Sequence, residues 1–187
     1  MRHANRSWMF LCAAIVLVGA AAADNAPPAG DVVSGAWQHH KLTFSYVGFT
    51  SLYTCDGLEA HVRQILLHLG ARKDLTVSAT GCPGPFNTPS RSAFVNVDFF
   101  SLAPAEPGSD TVQARWTAVE VTSRRPDFMG AGDCELIQNM KDLITQNFSM
   151  RDLKYRTDCF PHEISMDGFA VRGQALRALP SPASARG

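Results

Sequence analysis

From Trp37 to Leu179 the chain switches between two hydrophobic periods. After Cys55 the apolar residues Leu58, Val62, Ile65, Leu66 and Leu69 recur at helical spacing, and after Cys134 the residues Ile137, Met140, Ile144 and Phe148 do the same. Asp56 and Glu59 have the spacing of a capping box for the first segment, and Gly70 supplies its C-terminal stop. Asp133 stands where an N-cap for the second segment belongs. Elsewhere apolar and polar residues alternate, which predicts strands over residues 42–47, 94–99 and 114–121 and from Phe169 onward.

The two helical segments lie at the centre of a longer self-similarity. Counted from each cysteine, Leu58, Ile65 and Leu69 share a register with Ile137, Ile144 and Phe148. Each segment is followed by a strand entry, Arg72 to Val77 and Arg151 to Tyr155, that runs into a second cysteine and then a proline. The order reads β-α-β-β twice, joined by the Pro- and Gly-bearing stretch 103–110. The prediction is an α+β fold built as a tandem β-α-β-β repeat, with halves at about 38–102 and 110–179. Its two helices pack on one face of a largely antiparallel sheet.

The ends of the chain follow other rules. Arg2 and Arg6, the apolar run from Trp8 to Val18 and the alanines before Asp24 read as a signal peptide over 1–23. That run is short for a membrane anchor, so no stable insertion is expected after cleavage. Residues 24–37 lack a hydrophobic period and are expected to form a flexible leader, and 180–187 a disordered tail. The folded region 38–179 is then a single domain in a periplasmic or secreted protein.

Charge narrows the partners. The chain has 17 basic and 17 acidic residues, and loss of Arg2 and Arg6 with the signal leaves 15 against 17. A mature chain of this balance is not expected to bind nucleic acid or be steered to anionic lipid. Signal cleavage also removes Cys12 and leaves Cys55, Cys82, Cys134 and Cys159. An even number of cysteines in an oxidising compartment predicts disulfides, and four cysteines allow three pairings. If each half is one unit, Cys55 pairs with Cys82 and Cys134 with Cys159, and closing each loop stabilises the fold by about 3.5 kcal/mol.

Candidate chemistry is sparse. There is no G-x-S-x-G, H-E-x-x-H or P-loop, so no catalytic, cofactor-binding or metal residue is assigned and no cofactor is expected. Cys159-Phe160-Pro161-His162 is a single C-x-x-H, whereas zinc sites usually carry a second paired motif. His39 and His40 would face opposite ways in a strand, and His61 and His68 would share a helix face, most simply as solvated side chains. Asn147-Phe148-Ser149 matches a glycosylation sequon, but Phe148 belongs to the apolar face. The stretch 124–133, with Arg124, Arg125 and Phe128, is a candidate contact loop, and the proline-rich 82–91 is its counterpart.

Tyr53-Thr54-Cys55-Asp56-Gly57-Leu58-Glu59, with Gly70-Ala71-Arg72 and Gly132-Asp133-Cys134-Glu135-Leu136, resembles a family of secreted proteobacterial proteins to which no activity is assigned. The resemblance implies a bacterial setting and no site residue. The expected role is an exported, disulfide-stabilised binding or structural module for an unknown protein or small ligand. Two rivals stand beside it. One is a small periplasmic hydrolase or thiol enzyme using His61, His68 or His162 with a cysteine. The other is an envelope protein that self-associates, possible as a homo-oligomer wherever strand edges are uncovered.

Overall fold

A computed structural model describes residues 32–82, 91–164 and 166–180. The expected signal peptide (1–23), residues 24–31 of the expected leader, most of the 82–91 loop and all but the first residue of the expected tail 180–187 lie outside the described residues. Six strands form one antiparallel sheet: β1 (Val32–Val47), β2 (Thr76–Thr80), β3 (Ser92–Pro104), β4 (Val112–Thr122), β5 (Met150–Thr157) and β6 (Phe169–Ala178). The helices are α1 (Cys55–Leu69), α2 (Cys134–Asn139) and α3 (Lys141–Asn147), with a 3-10 turn at Ala131–Asp133 before α2. The fold is α+β, as the periodicity predicts.

The strand order is β2-β3-β1-β4-β6-β5. When β1, β2 and β3 are matched to β4, β5 and β6, this order reads the same from either end. Each half contributes three strands, and among the described residues the two sets pair where Val32–Gly35 of β1 lies beside Val112–Arg115 of β4. Gly35 fits this seam because a Cβ there would lie 3.1 Å from that of Ala114, closer than strands usually bring two side chains. Residues 32–37, predicted to belong to a flexible leader, are therefore strand. They escape the periodicity because the seam selects small residues and Trp37 rather than alternating aliphatics.

One face of the sheet makes the core. Val95, Val97 and Phe99 of β3, Val119 and Val121 of β4, and Phe169 and Val171 of β6 are buried against the helices. The helices contribute the residues that helical spacing singled out: Leu58, Val62, Ile65, Leu66 and Leu69 from α1, and Ile137, Met140, Ile144 and Phe148 from the second half. Burying a side chain of this size stabilises by roughly 1.5–3 kcal/mol, so the alternation that fills this face also fixes the register of each strand. At the seam a smaller cluster of Leu102, Ala114, Trp116 and Leu176 packs on the opposite face.

The two cysteine pairs are joined as expected, Cys55 to Cys82 with Cα atoms 5.8 Å apart and Cys134 to Cys159 at 5.6 Å. Details at the helix ends differ from the sequence reading. Thr54, not Asp56, caps α1, its hydroxyl accepting from the Gly57 N–H at 3.1 Å. Gly70 ends the helix in the left-handed region at φ 105°, which favours glycine. The second helical segment is broken at Met140, where the Asn139 side chain donates to the carbonyl of Glu135 within its own helix and to that of Val47 outside it. Such side-chain bonds compete with the helix ladder. The Val47 bond, at 3.0 Å, ties the break to β1.

Candidate functional site

The histidines of α1 are not solvated. His61 and His68 share a helix face, as their spacing requires, but both rings meet the edge of Phe128, at centroid distances of 5.8 and 6.2 Å. His68 Nε2 donates to the Glu120 carbonyl at 3.0 Å, and burial holds its pKa below the ordinary imidazole value. His61 Nε2 lies 3.2 Å from Asp133 Oδ2, an ion-pair distance without hydrogen-bond alignment. His39 and His40 do face opposite ways. His39 bonds Asp98 at 2.7 Å on one face of β1, and His40 lies 2.9 Å from the Ser101 hydroxyl on the other. His162 is exposed and touches Phe49.

Asp133 is the hub between the two halves. The Tyr53 hydroxyl donates to its Oδ1 and the Gly130 N–H to its Oδ2 at 2.6 Å, so its side chain does not cap α2. Burial alone would raise this carboxyl, but His61, Tyr53 and the Gly130 N–H outweigh it and hold its pKa below the usual carboxylate value. Burial and the nearby carboxylates of Asp133 and Glu135 push the Tyr53 and Tyr46 phenols well above the ordinary tyrosine value, so both remain neutral donors. Beside them Glu135 accepts from the N–H groups of Phe49 and Thr50 at 2.8 and 2.9 Å. Ser51 donates to the Gly132 carbonyl at 2.7 Å. The bonds of Tyr53, Phe49, Thr50 and Ser51 join the approach to α1 with the start of the second helical segment. They form a clasp rather than a reaction centre, because the carboxylate oxygens are already engaged and the groups are packed among aromatic rings.

The other face of the sheet is uncovered by helices and carries two grooves, one per half. The groove of the first half has a volume of about 270 Å³ and is lined by Lys41 and Thr43 of β1, Asn96 and Asp98 of β3, and Thr76 and Ser78 of β2. Three of its polar side chains are engaged: Thr43 donates to Asn96 Oδ1 at 2.7 Å, and Asp98 lies 2.7 Å from His39 Nε2. The groove of the second half, about 310 Å³, is lined by Arg124, Arg125, Arg156 and Arg172 with Glu120 and Asp167. Period-two alternation places Arg156 and Arg172 outward from β5 and β6, and the turn after β4 places Arg124 and Arg125 beside them.

The predicted contact loop therefore divides. Arg124 and Arg125 are exposed and line the second groove, whereas Phe128 packs inward against the core and the two α1 histidines. Phe128 is partly buried, and its ring joins the 123–133 connection to His61 and His68 of α1. Sequence reasoning missed Arg156 and Arg172, although both sit at outward positions of alternating strands. The signal was there, but it becomes legible only once it is known which sheet face lacks helices.

The four described cysteines are all joined in disulfides, so none of them carries a free thiol. Among the described residues, no group of three or more His, Cys, Asp or Glu side chains is placed to hold a metal ion. No helix among them is long and apolar enough to cross a membrane. No family model, curated protein or solved structure matches the chain.

Proposed function

We propose that the chain is an exported binding module whose open sheet face is its recognition surface. The carrying observation is the division of labour between the faces. One is consumed by the helices and the main core, while the other, outside the small cluster at the seam, carries a polar groove in each half. The two disulfides support an oxidising destination, periplasmic or secreted, because such bonds persist there. The matching strand order and the equivalent position of the two disulfides support a two-copy origin of the domain.

Self-association through the sheet edges is less well supported. On the outer edge of β2 the Ala79 N–H is taken by Glu59 at 2.7 Å, and Arg63 donates to the carbonyls of Leu75 and Lys73. The outer strand β5 carries a register irregularity and exposed Lys154 and Arg156, features that discourage a further strand from docking. Amide-shift mapping of the oxidised chain against a panel of sugars, nucleotides and peptides tests the proposal. Shifts on β1, β3, β4 and β6 at outward positions are expected, and shifts confined to the helix face would overturn it.

A further inference from the structure

Building on the open-face reading, we infer that the groove of the second half is an oxyanion site, taking a small ligand with phosphate or carboxylate groups. Its four arginines come from three places in the chain, yet Glu120, Asp158 and Asp167 organise them. Glu120 Oε1 accepts from Arg172 Nε at 2.8 Å, and its Oε2 lies 3.9 Å from Arg125. Asp167 lies 3.8 Å from Arg124, and its backbone carbonyl accepts from Arg156 at 2.7 Å. Asp158 fixes the other arm of Arg156 at 2.6 Å. Arg156 and Arg172, held in advance by these bonds, lose less freedom when a ligand arrives.

What remains unused determines the ligand. A guanidinium presents five N–H donors in a planar fork suited to phosphate and carboxylate oxygens. The pairings of Arg124 and Arg125, at 3.8 and 3.9 Å, are longer than hydrogen bonds, and both exposed side chains line the groove. Within the groove four guanidiniums face two carboxylates, and counting Asp158 still leaves a positive surplus. Neutral ligands would leave that surplus unmatched. The turn carrying these two arginines is itself anchored: Thr122 and Arg125 exchange backbone bonds, and the Ser123 hydroxyl donates to the Met166 carbonyl. The near-neutral total charge of the chain hides this local field. In the first half Lys41 is the lone Lys or Arg lining the groove, with Asp98 opposite it.

Calorimetric titration of the oxidised chain with inorganic pyrophosphate and, separately, citrate tests the inference and separates a phosphate from a carboxylate preference. Binding of at least one probe with a Kd at or below about 1 mM is expected. It should weaken about tenfold in Arg125→Gln and again in Arg172→Gln, with Lys41→Gln as the unaffected control. Added salt should weaken it further, since the arginines are exposed. Binding of neither probe, or binding indifferent to both arginine substitutions, overturns it. Amide shifts recorded in the same titration separate the two levels of the argument. Shifts on the first-half groove alone sink the arginine site but leave the open-face reading standing, and shifts only on the helix face sink both.

Discussion

The two halves use corresponding strands for different surface chemistry. Behind the sheet they are alike: each has a disulfide between a helix start and the segment after the next strand, and each buries aliphatic residues at matching helical positions. In front they part. The first half lines its groove with Thr43, Thr76, Ser78 and Asn96, whereas the second turns four arginines outward. The core constrains every second residue of a strand through packing, and the intervening residues are free to acquire a site. The lesson is that architecture is written on one sheet face and specificity on the other.

The strongest way to challenge the likeness behind the sheet is to open each staple in turn. Replacing Cys55 and Cys82 by alanine, or Cys134 and Cys159, should lower stability by about 3–4 kcal/mol in either case, because the closed loops are nearly equal in length. Denaturant unfolding reads the cost, and a large loss in one half with none in the other would break the comparison.

The helix starts provide a sharper contrast. Asp133→Asn should cost about 2–3 kcal/mol, since a buried charged acceptor and its donors lose their match, while Thr54→Ala should cost about 1 kcal/mol as an ordinary cap. The Asp133 pKa is depressed in the folded state, so its contribution is present above about pH 4, the unfolded value, and is lost as the pH falls through the lower folded value. Stability measured below pH 4 should therefore decline less in Asp133→Asn than in the parent chain.

Two histidines of the first half test a smaller effect. Burial lowers the pKa values of His40 and His68, with the neighbouring His39 adding to the effect on His40. Folded-state values below the unfolded one mean that both support the fold fully above about pH 6.5 and lose that contribution as the pH falls toward their folded values. Thermal unfolding between pH 7.5 and about pH 5 should show a decline that His68→Gln reduces. An unchanged slope would contradict the packed, neutral state of this ring. Smallest of all, Glu59→Ala should cost about 1 kcal/mol or less while freeing the Ala79 N–H, and concentration-dependent light scattering should rise if that bond guards the β2 edge.

Much of this architecture was legible in the sequence. Helical spacing after Cys55 and Cys134 located the buried faces, and the shared register led to the correct cysteine pairs. Three things were not legible, for physical reasons. The first stretch of β1 has no alternating pattern because Gly35 serves a close seam with Ala114. The paired role of Glu59 and Arg63 depends on β2 lying beside α1, a neighbour that local spacing does not specify. Asp133 reads as a cap in one dimension, yet Tyr53 and His61, brought in from the other half, claim its oxygens. The arginine groove was half visible: Arg124 and Arg125 adjoin in sequence, whereas Arg156 and Arg172 join them only through strand pairing.

The most direct measurement of the central claim is arginine footprinting with phenylglyoxal, read by peptide mass spectrometry with and without saturating pyrophosphate. The account predicts protection at Arg124, Arg125, Arg156 and Arg172 and none at Arg72, which lies over Phe100 on the first half. Equal labelling of all five with and without the probe, or protection of Arg72 alone, would contradict it.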